Sequence, residues 1–185
     1  MLFKFRRMRT MDPLQVAMTG VRMGEKYLQV FCSDQALTRG LAAKTGLSGV
    51  AALAAPDDVH AARARSAAAK EGVLIDLKVA PVGDLDWPDE SFDMAVIDNT
   101  GDSFSSLAAP VRDGLLQSIR RVLRAGGRIE LIERLGGGLF GGSSQPPEPY
   151  TQSGGAEGAF KGAGFKPVRT LAEKDGFRFV EGLKG

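Results

Sequence analysis

A chain of 185 residues suits one domain with a full-sized core, and 43% hydrophobic with 25% charged residues is ordinary for a soluble globular protein. A formal net charge of +2 is too small to argue for a nucleic-acid partner. Cys32 is the single cysteine, which excludes an internal disulfide and points to a reducing, cytoplasmic setting. No run approaches the roughly 18 apolar residues of a transmembrane segment.

In chain order, Met1–Gly24 is a lead-in that alternates Leu2, Phe3, Phe5 and Met8 with Lys4, Arg6, Arg7 and Arg9. It has no long apolar centre, so it is not a secretory signal. Three readings stay open: an arm or lid packed on the domain, a peripheral segment on a membrane surface or lipophilic ligand, and a disordered tail. Residues 25–185 read as one domain. Tyr27–Cys32 predicts a first strand. Ser33 or Asp34 caps a helix that runs to about Lys44 and closes at Gly46. Gly49–Ala54 is a second apolar run. Pro56, at a first helical position beside Asp57 and Asp58, opens an Ala-rich helix to about Lys70, ended by Gly72. Val73–Val79 is a third strand and Phe92–Asp98 a fourth.

Val111, Leu115, Leu116, Ile119, Val122 and Leu123 recur at helical spacing, predicting an amphipathic helix over Pro110–Arg124. Ala125-Gly126-Gly127 is expected to stop it, with Arg120, Arg121 and Arg124 at its negative end. Arg128–Glu133 is the next strand. Leu135–Gly155 is rich in Gly, Pro and Ser and reads as a flexible loop or lid. Ala156–Ala163 is a short helix closed by Gly164. Phe165–Leu171 and Phe177–Leu183 are two last strands, with Asp175-Gly176 favouring a tight turn between them. Alternating strands and helices make this an α/β chain with a doubly wound sheet.

The stretch from Val82 to Arg134 carries a family resemblance. Gly83-Asp84-Leu85-Asp86-Trp87-Pro88 is followed by Ser91-Phe92-Asp93, then Asp98, then Arg121-Val122-Leu123, Gly126-Gly127-Arg128-Ile129 and Leu131-Ile132. This order resembles the middle of class I S-adenosylmethionine-dependent methyltransferases, most of all the small-molecule enzymes of the ubiquinone/menaquinone-biosynthesis type. The resemblance implies a Rossmann-like, seven-stranded sheet with the last strand antiparallel. It also implies S-adenosylmethionine as cofactor and a small-molecule substrate.

A cofactor of that shape needs a close backbone approach and a tight turn after the first strand, which glycines supply. Aligned on the family, Gln29 stands at the acid position of that motif, and Phe31, Ser33 and Gln35 stand at its three glycine positions. Cofactor contact there falls to the backbone around Cys32, Ser33 and Asp34. The ribose-binding acid of the family falls on Leu53, followed by Ala54, and leucine accepts no hydrogen bond; Leu53→Asp is therefore expected to strengthen binding. Asp84 falls where the family has an acid contacting the adenine amino group, with Leu85 and Trp87 flanking the purine. Asp98 and Asn99 end the fourth strand, which in the family faces the methyl donor and the substrate.

Each of these residues has a plainer reading as well: Asp84 as a turn cap, Trp87 as packing, Asp98 and Asn99 as caps of the next segment, and Asp57 as a helix N-terminal acid. His60, the only histidine, is placed on a helix surface, so histidine triads and metal sites have little to draw on, and no metal is expected. Two functions follow. One is an S-adenosylmethionine-dependent methyltransferase acting on a small molecule, in which the protein's task is to hold the reactants in line and exclude water. The other is a non-catalytic binding or assembly protein on the same fold. A nicotinamide oxidoreductase is disfavoured because G-x-G-x-x-G is absent.

Overall fold

The strands of a doubly wound sheet bury both faces, and the apolar runs of this chain do so. The computed structural model describes residues 13–136 and 147–185. In order they form α1 (Pro13–Met18), β1 (Lys26–Val30), α2 (Gln35–Thr45), β2 (Val50–Ala55), α3 (Asp58–Glu71), β3 (Asp76–Val79), β4 (Phe92–Asn99), α4 (Ala109–Val122), β5 (Leu123–Arg134), α5 (Glu148–Gln152), α6 (Gly155–Gly162), β6 (Val168–Lys174) and β7 (Phe177–Leu183). One sheet contains all seven strands in the order β3-β2-β1-β4-β5-β7-β6. β1 to β5 pair in parallel, and β7 runs antiparallel to both β5 and β6. This is the expected Rossmann-like fold. The expectations for residues 1–12 and 137–146 lie outside the described residues.

Alternate residues of the central strands face opposite layers. Leu28, Val30, Ala95, Ile97 and Leu131 pack with Leu115, Leu116 and Ile119 of α4 and Phe160 of α6. Tyr27, Met94, Val96, Ile132 and Phe179 pack with Leu37 and Leu41 of α2. A smaller cluster beneath α3 holds Cys32, Leu53, Ala55, Ala61 and Ala64.

Several boundaries differ from the sequence reading. β1 stops at Val30 because Phe31 has a left-handed backbone, φ +68°. α3 is capped by Asp57, whose side chain accepts the His60 N–H, so Pro56 lies before the helix rather than in it. α4 ends at Val122 and passes straight into β5, and the two glycines do not stop it. Gly126 (φ +70°) and Gly127 instead sit in an irregularity of β5, where the register with β4 shifts between Phe92 and Met94. The C-terminus clasps that irregularity: Gly126 N–H donates to the Lys184 carbonyl at 2.8 Å, and Lys184 N–H donates to the Gly127 carbonyl at 2.8 Å. Within the stretch read as a loop, Glu148–Gln152 is helical. Tyr150 is buried there, edge-on to Phe104 at 6.1 Å. One buried aromatic overrides a Gly-, Pro- and Ser-rich composition. The last hairpin turns through Asp175 (φ +52°) and Gly176 (φ +79°), as the Asp-Gly step predicts.

Glu130 of β5 is buried, and neither carboxylate oxygen has a hydrogen-bond partner. Burial first, then neighbouring Glu181, hold its carboxyl well above the usual range against the opposing pull of Arg128 and Lys44. A group whose folded value is raised contributes stability that is complete below its unfolded value and is lost as pH rises through the folded one. Glu130→Gln should therefore match the parent in urea denaturation at about pH 4 and exceed it at about pH 8. An equal midpoint difference at both would contradict this.

Candidate functional site

The strand order reverses between β1 and β4, and open α/β sheets place ligands outside the strand ends at that point. Two loops meet there. Asp98, fully buried at the end of β4, accepts the Ser33 N–H at 2.7 Å and the Asp34 N–H at 2.8 Å through Oδ2. Through Oδ1 it accepts the Thr100 N–H at 3.1 Å and the Thr100 hydroxyl at 2.6 Å. Burial raises its carboxyl above the usual range, and the four donors pull the other way. Asp98 is thus a clip between the β1–α2 and β4–α4 loops and does not face an open site.

Asn99 is also fully buried. Its Oδ1 accepts the N–H groups of Phe104 (2.9 Å) and Ser105 (3.1 Å), and its Nδ2 donates to Glu133 at 3.4 Å. Glu133 in turn accepts the Tyr150 hydroxyl at 3.2 Å and pairs with Arg178 at 3.5 Å. The oxygens of Asp98 and Asn99, which the resemblance turns toward methyl donor and substrate, here accept loop amides.

Around the β1–α2 turn the pattern repeats. Asp34 is the N-cap of α2, accepting the N–H groups of Ala36 and Leu37. Cys32 is buried with Sγ 3.2 Å from the Thr38 hydroxyl, and burial pushes its thiol up to about 11, which disfavours the thiolate. Gln29 is buried and donates to the Phe31 carbonyl and the Thr38 hydroxyl, both at 2.9 Å. Leu53 has no exposed surface and lies in the apolar cluster under α3. An aspartate there would be desolvated without a partner, a cost that opposes the stronger binding expected of Leu53→Asp.

A shallow cleft does exist beside these residues. Ala54, Ala55 and Pro56 line it from the end of β2, Val82, Asp84 and Leu85 from the loop after β3, and Phe31 from just past β1. It is a shallow depression, about 230 Å³ with open solvent counted in. Asp84 is exposed. Trp87 is buried instead, edge-on to Phe92 and donating its indole N–H to Asp76 at 2.7 Å, so it packs and does not flank this cleft. Sequence reasoning missed Ala55, Pro56 and Val82, which adjoin residues it did name.

The resemblance implies S-adenosylmethionine, and the residues fit one end of it. Apolar walls with an acceptor at Asp84 suit a purine and its amino group. The ribose and methionine end is not fitted: Phe31, almost fully buried, stands at the first glycine position, the Ser33 and Asp34 amides already donate to Asp98, and Leu53 offers no acceptor.

His60 is not on an open helix surface. Its side chain is 12% exposed and its ring lies 5.8 Å from that of Phe31. Nδ1 is 2.9 Å from Asp57 Oδ1, and Nε2 is 3.3 Å from Ser103 Oγ in the β4–α4 loop. Ser103 carries no signal in the sequence; only the fold brings it across 43 positions to the histidine.

Comparison with known proteins agrees with this architecture. The family described as "Methyltransferase domain" matches residues 28–131. The ubiquinone/menaquinone biosynthesis C-methyltransferase UbiE of Chromobacterium violaceum is 28% identical over 115 residues, covering 62% of this chain and 45% of the relative, so the chain spans less than half of that protein. A SAM-dependent methyltransferase from Aquifex aeolicus superposes with a TM-score of 0.73 at 18% identity, covering 95% of this chain and 91% of the other. The [4+2]-cyclase SpnF superposes at 0.67 with 16% identity, covering 92% and 78%. At such identities these structures share the fold. With its family matched over more than half of its length and the seven-stranded topology in place, the chain belongs to the methyltransferase domain family.

Proposed function

We propose that this protein is an S-adenosylmethionine-dependent methyltransferase of the small-molecule kind, working in the cytoplasm, that holds its cofactor chiefly by the adenine end. The observation that carries this is the cleft at the carboxyl ends of β2 and β3, with Asp84 at its edge. Ala54, Val82 and Leu85 would sandwich the ring, and the Asp84 carboxylate would accept from its amino group. The family membership and the C-methyltransferase relative support the reaction class. Among the described residues no helix is long and apolar enough to cross a membrane.

A second reading, a non-catalytic binding or assembly protein, is favoured by Phe31, Leu53 and Asp98, which leave the ribose and methionine end without a place. A shared fold does not fix the chemistry. Calorimetry with adenosine tests the cleft. Asp84→Ala should weaken binding about ten- to hundredfold, the loss of one charged acceptor; unchanged affinity would overturn the assignment. Release of S-adenosylhomocysteine in the presence of small phenol and quinol acceptors supports the enzyme reading. Binding without release supports the other.

A further inference from the structure

We propose that Asp57, His60 and Ser103 form a nucleophilic serine with its base and its positioning acid, a site for acyl transfer from small carboxylic esters. The atoms are in the required order: carboxylate Oδ1, 2.9 Å to Nδ1, then Nε2, 3.3 Å to a serine Oγ. A separation of 3.3 Å is on the long side, as such contacts are before substrate tightens them. Asp57 is held below the usual carboxylate range, first by the His60 backbone N–H and then by the ring itself, so it stays ionised. An ionised acceptor on Nδ1 keeps the proton there and leaves the Nε2 lone pair for the Ser103 hydroxyl.

A helix-capping role accounts for Asp57 accepting the His60 N–H at 2.9 Å. It does not account for the other ring nitrogen meeting a serine from a different loop at the carboxyl edge of the sheet. Two more features suit catalysis. The Phe31 ring lies beside the imidazole and limits its exposure. Ser33 Oγ, 3.4 Å from Ser103 Oγ, is a second hydroxyl beside the nucleophile. The Phe31 ring gives the site an apolar wall, so the class of substrate is a small ester with an apolar part.

The step balances with water as the co-reactant. Ser103 Oγ bonds to the ester carbonyl carbon, and its proton passes to His60 Nε2. The bond from that carbon to the alkoxy oxygen breaks, and the alcohol leaves with the proton. Water, deprotonated by the same nitrogen, then attacks the acyl-serine. The Ser103 oxygen recovers the proton and the carboxylic acid departs. Asp57 touches only the histidine and is a positioning residue.

The test is made on the full chain with a fluorophosphonate probe and with p-nitrophenyl butyrate. Peptide mass spectrometry should find the label on Ser103. His60→Gln should slow labelling at least about a hundredfold, and Ser103→Ala should lower ester hydrolysis by as much. Asp57→Asn keeps an N-cap residue, so its melting curve should stay unchanged. It should lower kcat with little change in KM and remove the hydrogen-bonded imidazole N–H resonance from the proton NMR spectrum. The folded parent leaving Ser103 unlabelled, or labelling at the same rate in His60→Gln, would overturn the proposal.

Discussion

Asp98→Ala should cost the fold about 3–5 kcal/mol in urea denaturation, the range for removing one partner of a buried charged network. Three backbone N–H groups, of Ser33, Asp34 and Thr100, point at this carboxylate. Removing it orphans all three, and each unsatisfied buried donor costs about 1–3 kcal/mol, less where water enters the gap. Burial works against the charge on this carboxylate, so the loss is expected from stranded donors more than from lost attraction. Asp98→Asn, which keeps one acceptor oxygen, should cost less. A stability change under about 1 kcal/mol in Asp98→Ala would show that the two loops are held by something else.

Phe31→Gly should have opposed effects on stability and on ligand binding. Its ring is almost fully buried, and removing such a ring costs about 3–5 kcal/mol. Its backbone is left-handed at φ +68°, which costs a non-glycine residue about 1–2 kcal/mol that glycine recovers. The packing loss is the larger, so the variant should be less stable. The same change removes the side chain that stands at the first glycine position of the family motif. Affinity for S-adenosylmethionine should rise at least about tenfold, equivalent to about 1.4 kcal/mol. Unchanged affinity in a folded variant would mean that Phe31 does not block the ribose and methionine end.

The fold was legible because its signals are local. The apolar runs of β1, β2, β4 and β5 announce buried strands, Gly46 and Gly72 close α2 and α3, and Asp175-Gly176 makes the last turn. Boundaries failed where tertiary contacts decide: the glycines of β5 are clasped by Lys184, and Tyr150 finds a pocket against Phe104.

The candidate site was half legible. Asp84, Leu85 and Ala54, which the resemblance names, line one cleft. Asp98 and Asn99 are adjacent to the right place, yet their oxygens are spent on loop amides. Spacing cannot show this, since it depends on how the β4–α4 loop folds back. The contact of His60 with Ser103 is hidden for the same reason: helical periodicity puts position 60 outside, and Ser103 and Phe31 cover it from two separate loops.

On the proposed function, this chain keeps the adenine half of its family's cofactor site without the ribose and methionine half. Isothermal calorimetry of the unmodified protein with S-adenosylmethionine, beside adenosine, tests it most directly. A missing charged acceptor at the ribose costs about 1.5–3 kcal/mol, which moves a micromolar Kd toward the millimolar range. The expected result is binding in that weak range, with the two ligands within about tenfold of each other, about 1.4 kcal/mol. Submicromolar binding of S-adenosylmethionine, far tighter than adenosine, would contradict the account.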